Sequence, residues 1–351
     1  MASVVGLPLE DLNHVLMHTE SLWPELRGKR IFVTGGTGFV GSWLVETFLH
    51  ANTTLSLGAE MVVLSRNPEA FLSKHPKLKD EPALKFVCGD VRNFEEHGGD
   101  FDFVIHGATE PAGFADLDAA VENLEVCFEG TKRVLEFCKN KNIKKYLYIS
   151  SGAIYGKQTS DMSHIEETFP AAPDLKKTSA AYGEGKRIAE WLSFQYGSAH
   201  DFNATVARCF AFVGPYLPLS GTYAVGNFIR DVLAEKTIVI SGDGLARRSY
   251  MYTSDLAVWL WHILLKGKNL TSYNVGSEHG VSIKELAVKI VTSSGQNLEI
   301  LVQGASSAGL SGDLYIPSTK KAQAELGLRT TIDCDLALKK TLNFYREFGR
   351  V

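Results

Sequence analysis

The stretch "RIFVTGGTGFVGSWLVETFL", Arg30 to Leu49, decides how the rest of the chain is read. A short β-branched run ends at Thr34, glycines follow at positions 35, 38 and 41 in G-x-x-G-x-x-G spacing, and an apolar helical pattern then begins. Each glycine has a mechanical task. The first permits a tight turn, the second lets backbone N–H groups approach a pyrophosphate, and the third lets helix and strand pack closely. The helix N-terminus adds positive potential. In isolation such a turn is weak evidence, but here it opens the first strand–helix–strand unit of an alternating chain, which favours dinucleotide binding over a bland connection.

The alternation continues outward from that unit. Apolar runs at 60–65 ("EMVVLS"), 85–88 ("KFVC"), 101–106 ("FDFVIH"), 145–150 ("KYLYIS") and 204–210 ("ATVARCF") predict further strands separated by helical patterns. Leu117, Val121, Leu124, Phe128, Thr131, Leu135 and Cys138 recur at helical spacing and predict a crossover helix with a buried face. The fold class is therefore α/β, a doubly wound parallel sheet whose ligand crevice lies at the carboxyl ends of the strands. From Gly214 the rhythm gives way to Gly/Pro-containing loops, a short strand "TIVIS", and helices near 254–265, 282–294 and 333–347. The expected organisation is an N-terminal helical extension (1–28, with a helix from about Leu9 to Leu22), a dinucleotide-binding domain (29–213) and a smaller cap (214–351). Segments near 238–265 and 273–276 of that cap are candidates to return to the main sheet.

Composition narrows the function classes. Of the 351 residues 45% are hydrophobic and 22% charged, close to globular averages, and no apolar run approaches the ~18 residues that cross a bilayer. The start of the chain lacks a basic segment followed by an apolar core, so secretion and membrane insertion are not expected. Net charge is -4 without basic clusters, which disfavours nucleic acid as the partner. Five scattered cysteines with no C-x-x-C or Cys/His cluster give neither a disulfide framework nor a metal site, and fit a reducing cytoplasm.

The expected cofactor contacts are the turn from Gly35 through Thr37, Gly38, Phe39 and Val40 to Gly41, then Ser65 and Arg66 after the second strand, and Asp90 with Val91 after the third. No carboxylate stands at Ser65–Arg66 to accept from an adenosine ribose, and a guanidinium pairs with a 2′-phosphate, so NADP is favoured slightly over NAD. Asp90 can accept from an adenine amino group or cap the following turn. Chemistry is carried by "YGEGK": Tyr182 and Lys186 fall one helical turn apart on the same face, so the ammonium can favour a phenolate that serves as general base. Ser151, at the end of "YLYISSGAIYG", can bond the substrate oxygen that Tyr182 deprotonates.

These segments together resemble the extended short-chain dehydrogenase/reductases that act on nucleotide sugars. The resemblance runs from about Lys29 onward through "TGGTGFVG", "GDVRN", "VIHGAT", "GTKRVLEFC", "ISSGAIYG", "YGEGK", "ARCFAFVGP", "GNFIRDVL", "SGDGLARRSYMYTSDLA", "YNVGS" and "AELGL", in family order. It implies a Rossmann-like fold, a Ser151–Tyr182–Lys186 triad, ribose contacts from Lys186, and substrate contacts from Thr109, Ser151, Asn227 and Arg248, the arginine pairing with a nucleotide diphosphate. It implies a homodimer through helices near 115–138 and 182–197. Two departures matter. Gly152 and Ala153 stand where dehydrating relatives carry an acid–base carboxyl pair, and Ala211 and Cys127 stand where relatives often carry asparagine. The expected activity is an NAD(P)-dependent 4-epimerase working through a 4-keto sugar. The alternatives are a 4-keto-sugar reductase, a 4,6-dehydratase as the weaker case, and a catalytically silent dinucleotide-binding protein.

Overall fold

The structure, a computed structural model, describes residues 6–95, 98–110, 116–141, 143–159, 161–221, 223–304 and 313–349; the first five residues of the expected N-terminal extension lie outside these. The chain divides into two units, one comprising 1–156, 171–209 and 257–273, the other 157–170, 210–256 and 274–351. Compared with the expected 29–213 domain, the first unit gives up 157–170 and 210–213 and takes in the N-terminal segment and 257–273.

The first unit is built on parallel strands β1 (Arg30–Thr34), β2 (Glu60–Ser65), β3 (Leu84–Cys88), β4 (Phe103–His106), β5 (Lys145–Ser151) and β6 (Asn203–Cys209), and the strand Thr271–Val275 completes the sheet. Spatial order is 271–275, β6, β5, β4, β1, β2, β3. Chain order thus reverses between β1 and β4, and in open parallel sheets ligands bind where that reversal opens a crevice. The central strands are buried along their length because helices cover both faces, so they read as continuous apolar runs rather than alternating ones. Phe32, Phe94, Phe101 and Phe137 pack on one face, with ring centroids 4.7 to 5.7 Å apart.

Helix α1 spans Leu9–Thr19, shorter than the sequence predicts, and Pro24 directs the chain into a single 3-10 turn at Trp23–Leu26. The segment is tied down: Trp23 Nε1 donates to Thr19 Oγ1 at 2.9 Å, its ring lies 4.9 Å from that of Trp261, and Trp261 Nε1 donates to Thr47 Oγ1 at 3.1 Å. Helices α2 (Phe39–Thr54) and α3 (Pro68–Lys74) follow β1 and β2, α4 (Leu117–Asn140) follows β4, and α5 (Ala180–His200) precedes β6.

In α4 the expected buried face is corrected. Thr131, Leu135 and Cys138 are fully buried, but Leu117 is 65%, Val121 44%, Leu124 37% and Phe128 37% exposed. The face turned inward over that half carries Ala120, Asn123, Val126 and Cys127. Periodicity reports that an apolar stripe exists and not what it packs against.

The second unit contains helices Ala224–Leu233, Ile283–Ser294, Lys320–Leu326 and Cys334–Phe348 with small sheets formed by 247–249, 280–282 and 314–315 and by 238–240 and 300–302. Helix Ile283–Ser294 starts at a reciprocal Ser282/Glu285 capping box, and Asp255 accepts from the backbone N–H groups of Thr331 and Ile332 at 2.8 and 3.0 Å. No helix among the described residues is long and apolar enough to cross a membrane.

Candidate active site

The three glycines of the β1–α2 turn are constrained differently. Gly35 has φ +76°, and a Cβ there would stand 2.5 Å from Gly107 C and 2.7 Å from Ala108 N, so the turn after β1 touches the loop after β4 at the reversal point. A Cβ on Gly41 would meet Gly35 O at 2.1 Å, which excludes any side chain. Gly38, the N-cap of α2, would meet Gly35 O at 3.5 Å, an ordinary contact. The protein itself therefore does not demand glycine at 38, and a bare backbone there admits an external group against the first turn of α2. The N–H groups of Phe39, Val40 and Gly41 lie in that turn and have no partner within the helix. This geometry fits a dinucleotide pyrophosphate.

Around the turn, Thr37 Oγ1 lies 3.5 Å from Ser65 Oγ, which also accepts from the N–H of Asn67 at 3.3 Å. Arg66 is engaged: its guanidinium forms a two-armed pair with the Glu110 carboxylate at 2.5 and 3.4 Å. Asp90 is engaged too. Its carboxylate accepts from Arg92 Nε and Nη2 and from the Arg92 N–H at 2.8 to 2.9 Å, and these bonds hold its pKa below the usual carboxylate range. Val91 is buried and would be struck by any side chain on Gly130 of α4.

The candidate triad lies where β5 ends and α5 begins. Ser151 is the last residue of β5, 8% exposed, and its Oγ accepts from Ala153 N at 3.1 Å as the chain turns into a 3-10 segment. Helix α5 approaches this segment at Gly183, where a Cβ would stand 2.7 Å from Ala153 O, and approaches α4 at Gly185, where a Cβ would stand 2.9 Å from Cys127 Cβ. Tyr182 and Lys186, four residues apart, share one face of α5. Lys186 Nζ lies 5.7 Å from the Tyr182 ring centroid and 4.9 Å from that of Tyr148, and donates to Ile149 O at 2.9 Å.

Lys186 is 2% exposed, and burial pushes its pKa down. An ammonium has three donors, and among the described residues Ile149 O is its single hydrogen-bond partner. Leaving a buried cation short of acceptors is costly, and two aromatic faces offset part of that cost. The remaining donors suit the hydroxyls of a ribose. Thr109, with Ser151 one of the two expected substrate contacts in this unit, reaches Glu110 O at 3.4 Å and Cys127 Sγ at 3.9 Å.

A supporting layer escaped the sequence reading. Glu190, one turn beyond Lys186, accepts from Ser150 Oγ at 2.5 Å and from Arg208 at 2.8 to 3.2 Å; Arg208 also donates to Tyr155 OH at 2.8 Å. The ion pair is buried, with side chains 13% and 6% exposed. It fixes the strand end that carries Ser151 to the helix that carries Tyr182. The Glu at i+4 from Lys186 was visible in the sequence; its partner, brought by β6, was not. His106 is buried between Thr34 Oγ1 at 2.7 Å and Thr131 Oγ1 at 2.9 Å, and burial pulls its pKa down to about 3, with the Lys186 charge adding to the shift. It stays neutral and spaces β1, β4 and α4. Tyr148 is buried and its hydroxyl has no partner among the described residues.

Asn227 and Arg248 belong to the second unit. Asn227 Nδ2 donates to Gly221 O at 2.9 Å and its Oδ1 accepts from Arg230 at 3.2 Å. Arg248 donates to Arg247 O and Asp313 O, both at 2.8 Å, and its guanidinium lies 5.7 Å from the Tyr315 ring centroid. Asn227, Asp231, Val239 and Ser241 are among the residues lining a cavity of about 450 Å³ in that unit, which Arg248 does not line. Among the described residues no group of three His, Cys, Asp or Glu side chains is placed to hold a metal ion.

Known proteins share this architecture and much of the sequence pattern. The chain is 25% identical over 329 residues to a dTDP-glucose 4,6-dehydratase of Streptomyces niveus, covering 91% of this chain and 93% of that one. It is 26% identical over 326 residues to a UDP-N-acetyl-alpha-D-glucosaminuronate decarboxylase of Bacillus cytotoxicus, covering 91% and 98%. The crystal structure of UDP-glucose 4-epimerase with UDP-glucose from Thermotoga maritima has the same fold, with a TM-score of 0.76 at 21% identity over 91% of this chain and 99% of that one. Residues 31–276, from β1 through the last strand of the seven-stranded sheet, match one family model, and on that match the chain belongs to the NAD dependent epimerase/dehydratase family.

Proposed function

We propose that the protein is an NAD(P)-dependent nucleotide-sugar 4-epimerase in which Tyr182 is the general base, Ser151 holds the reacting oxygen and Lys186 binds ribose hydroxyls. The observation that carries this reading is the buried Lys186 ammonium, seated between two phenol rings with one carbonyl partner. A bound nicotinamide supplies the acceptor and later the donor of the C4 hydride. Tyr182 takes the proton of the sugar C4 hydroxyl, and the positive charge beneath its ring favours the phenolate that does so. Ser151 donates to the same oxygen as it becomes a carbonyl, and Tyr182 returns the proton once hydride has been delivered to the opposite face. Asn227 and Arg248 are assigned to the substrate, the arginine to its nucleotide diphosphate through charge-assisted hydrogen bonds.

The similar proteins include a dehydratase and a decarboxylase. Dehydration across C5 and C6 needs a base at C5 and an acid at the C6 hydroxyl, and Gly152 and Ala153 carry no titratable group. The reductase alternative leaned on Arg66 as a reader of NADPH, and Arg66 is paired with Glu110. Epimerisation is therefore the reading that these side chains support best. Incubation with UDP-, dTDP-, CDP- and GDP-sugars, followed by product analysis and the nicotinamide absorbance, tests it. A changed sugar without net cofactor turnover supports epimerase; stoichiometric NADPH loss replaces it with reductase; loss of water or carbon dioxide replaces it with dehydratase or decarboxylase; no reaction leaves a binding protein.

The exposed row Leu117, Val121, Leu124 and Phe128 on α4, with Ile188 38% and Trp191 57% exposed on α5, supports a homodimer built on these two helices. Phe128→Glu with Trp191→Glu is expected to convert dimer to monomer in analytical ultracentrifugation; a double variant that sediments as a dimer counts against this surface. All five cysteines are free, and we assign the protein to the reducing cytoplasm on that ground.

A further inference from the structure

Arg66 follows β2 at the position from which this fold reads the adenosine ribose, and there the guanidinium is taken by a carboxylate of the same chain. Arg66 Nη1 and Nη2 lie 2.5 and 3.4 Å from the two oxygens of Glu110, the fork-to-fork arrangement that a phosphate would otherwise occupy. Glu110 is delivered by the loop after β4, across the reversal point from β2, and its placement is built: the buried Asn123 of α4 donates to Glu110 O at 3.2 Å, and Cys127 Sγ donates to Asn123 Oδ1 at 3.6 Å. The neighbouring cation is spent as well. Arg92 is bonded to Asp90 and lies 3.9 Å from both Glu122 and Glu125. Two arginines therefore stand among four carboxylates at the end of the sheet that would hold the adenosine.

We propose that Glu110 is a specificity residue for the cofactor: by occupying Arg66 it cancels the charge a 2′-phosphate needs, and so selects NAD over NADP. The inference rests on the dinucleotide-binding reading above and names the residue that decides between its two forms. A 2′-phosphate is close to a dianion at neutral pH. To bind, it must open the two-armed pair or stand against Glu110 and Asp90 with no free cation beside it. A neutral 2′-hydroxyl meets neither obstacle. The charge that the sequence offers to NADP at Arg66 is thus withdrawn by a residue 44 positions away.

The test is calorimetric titration of cofactor-free protein with NAD+ and NADP+. The wild type is expected to bind NAD+ at least tenfold more tightly. Glu110→Gln keeps shape and removes charge, and is expected to tighten NADP+ binding at least tenfold while changing NAD+ less than threefold. Adding Arg66→Gln to it should abolish the gain. Preference for NADP+ in the wild type, or an unchanged ratio in Glu110→Gln, overturns the inference while the dinucleotide reading stands. Binding of neither cofactor to the wild type overturns both. Should Glu110→Gln not fold, Arg66→Gln alone decides: less than a threefold change in NADP+ affinity supports an already occupied guanidinium, and a tenfold loss refutes it.

Discussion

Replacing Tyr182 with phenylalanine is expected to lower turnover at least about a hundredfold, the usual lower bound for removing a general acid–base group. Cofactor affinity should change little, because the ring that lies 5.7 Å from Lys186 Nζ is retained and only the hydroxyl is lost. The split between turnover and binding matters. A surface tyrosine would show neither effect, and a merely structural one would disturb the buried Lys186 beneath it and weaken cofactor binding together with turnover. Steady-state kinetics on the sugar substrate, with calorimetry of the dinucleotide, separates these cases; near-normal turnover in the variant removes Tyr182 from the proposed mechanism.

The second large effect is on stability. Glu190→Ala is expected to destabilise the fold by about 3–5 kcal/mol, the range for breaking a buried ion pair from one side. The cost arises because Arg208, with a side chain only 13% exposed, loses that carboxylate while remaining out of water. Ser150 loses its acceptor in the same step. Urea unfolding monitored by tryptophan fluorescence measures the change. Replacing both members by methionine should recover most of the loss, since apolar pairs of similar volume substitute well for buried ions. A change below about 1 kcal/mol in Glu190→Ala would mean that the pair behaves as a solvated one. Because Ser150 precedes Ser151, and Glu190 shares α5 with Tyr182 and Lys186, the same variant reports on how firmly the triad is held.

The legibility of this protein in its sequence differs between the two scales of structure. The glycine turn could be read at 35, 38 and 41 because the constraints are local: a positive φ at Gly35, an open cap at Gly38, and a first helical turn whose Gly41 rides on Gly35 O. The Tyr182–Lys186 pair could be read because helical periodicity alone puts them on one face. The central strands were legible as unbroken apolar runs, since parallel strands covered on both faces need no polar alternation. The α4 stripe misled because an apolar face on a helix looks the same whether it meets its own core or is left exposed.

What the sequence determined by itself is therefore a wound parallel sheet with a glycine turn and a phenol–ammonium pair, set by backbone sterics, unbroken apolar runs and the 3.6-residue repeat of a helix. Only the tertiary structure decided which charges are still available. Arg66 is offered by the sequence as a free cation until the loop after β4 brings Glu110 against it, and Glu190 has no assigned role there until β6 brings Arg208. The physical reason is range: steric and periodic constraints act between residues a few positions apart, whereas an ion pair depends on distance in space, which only the packed sheet supplies.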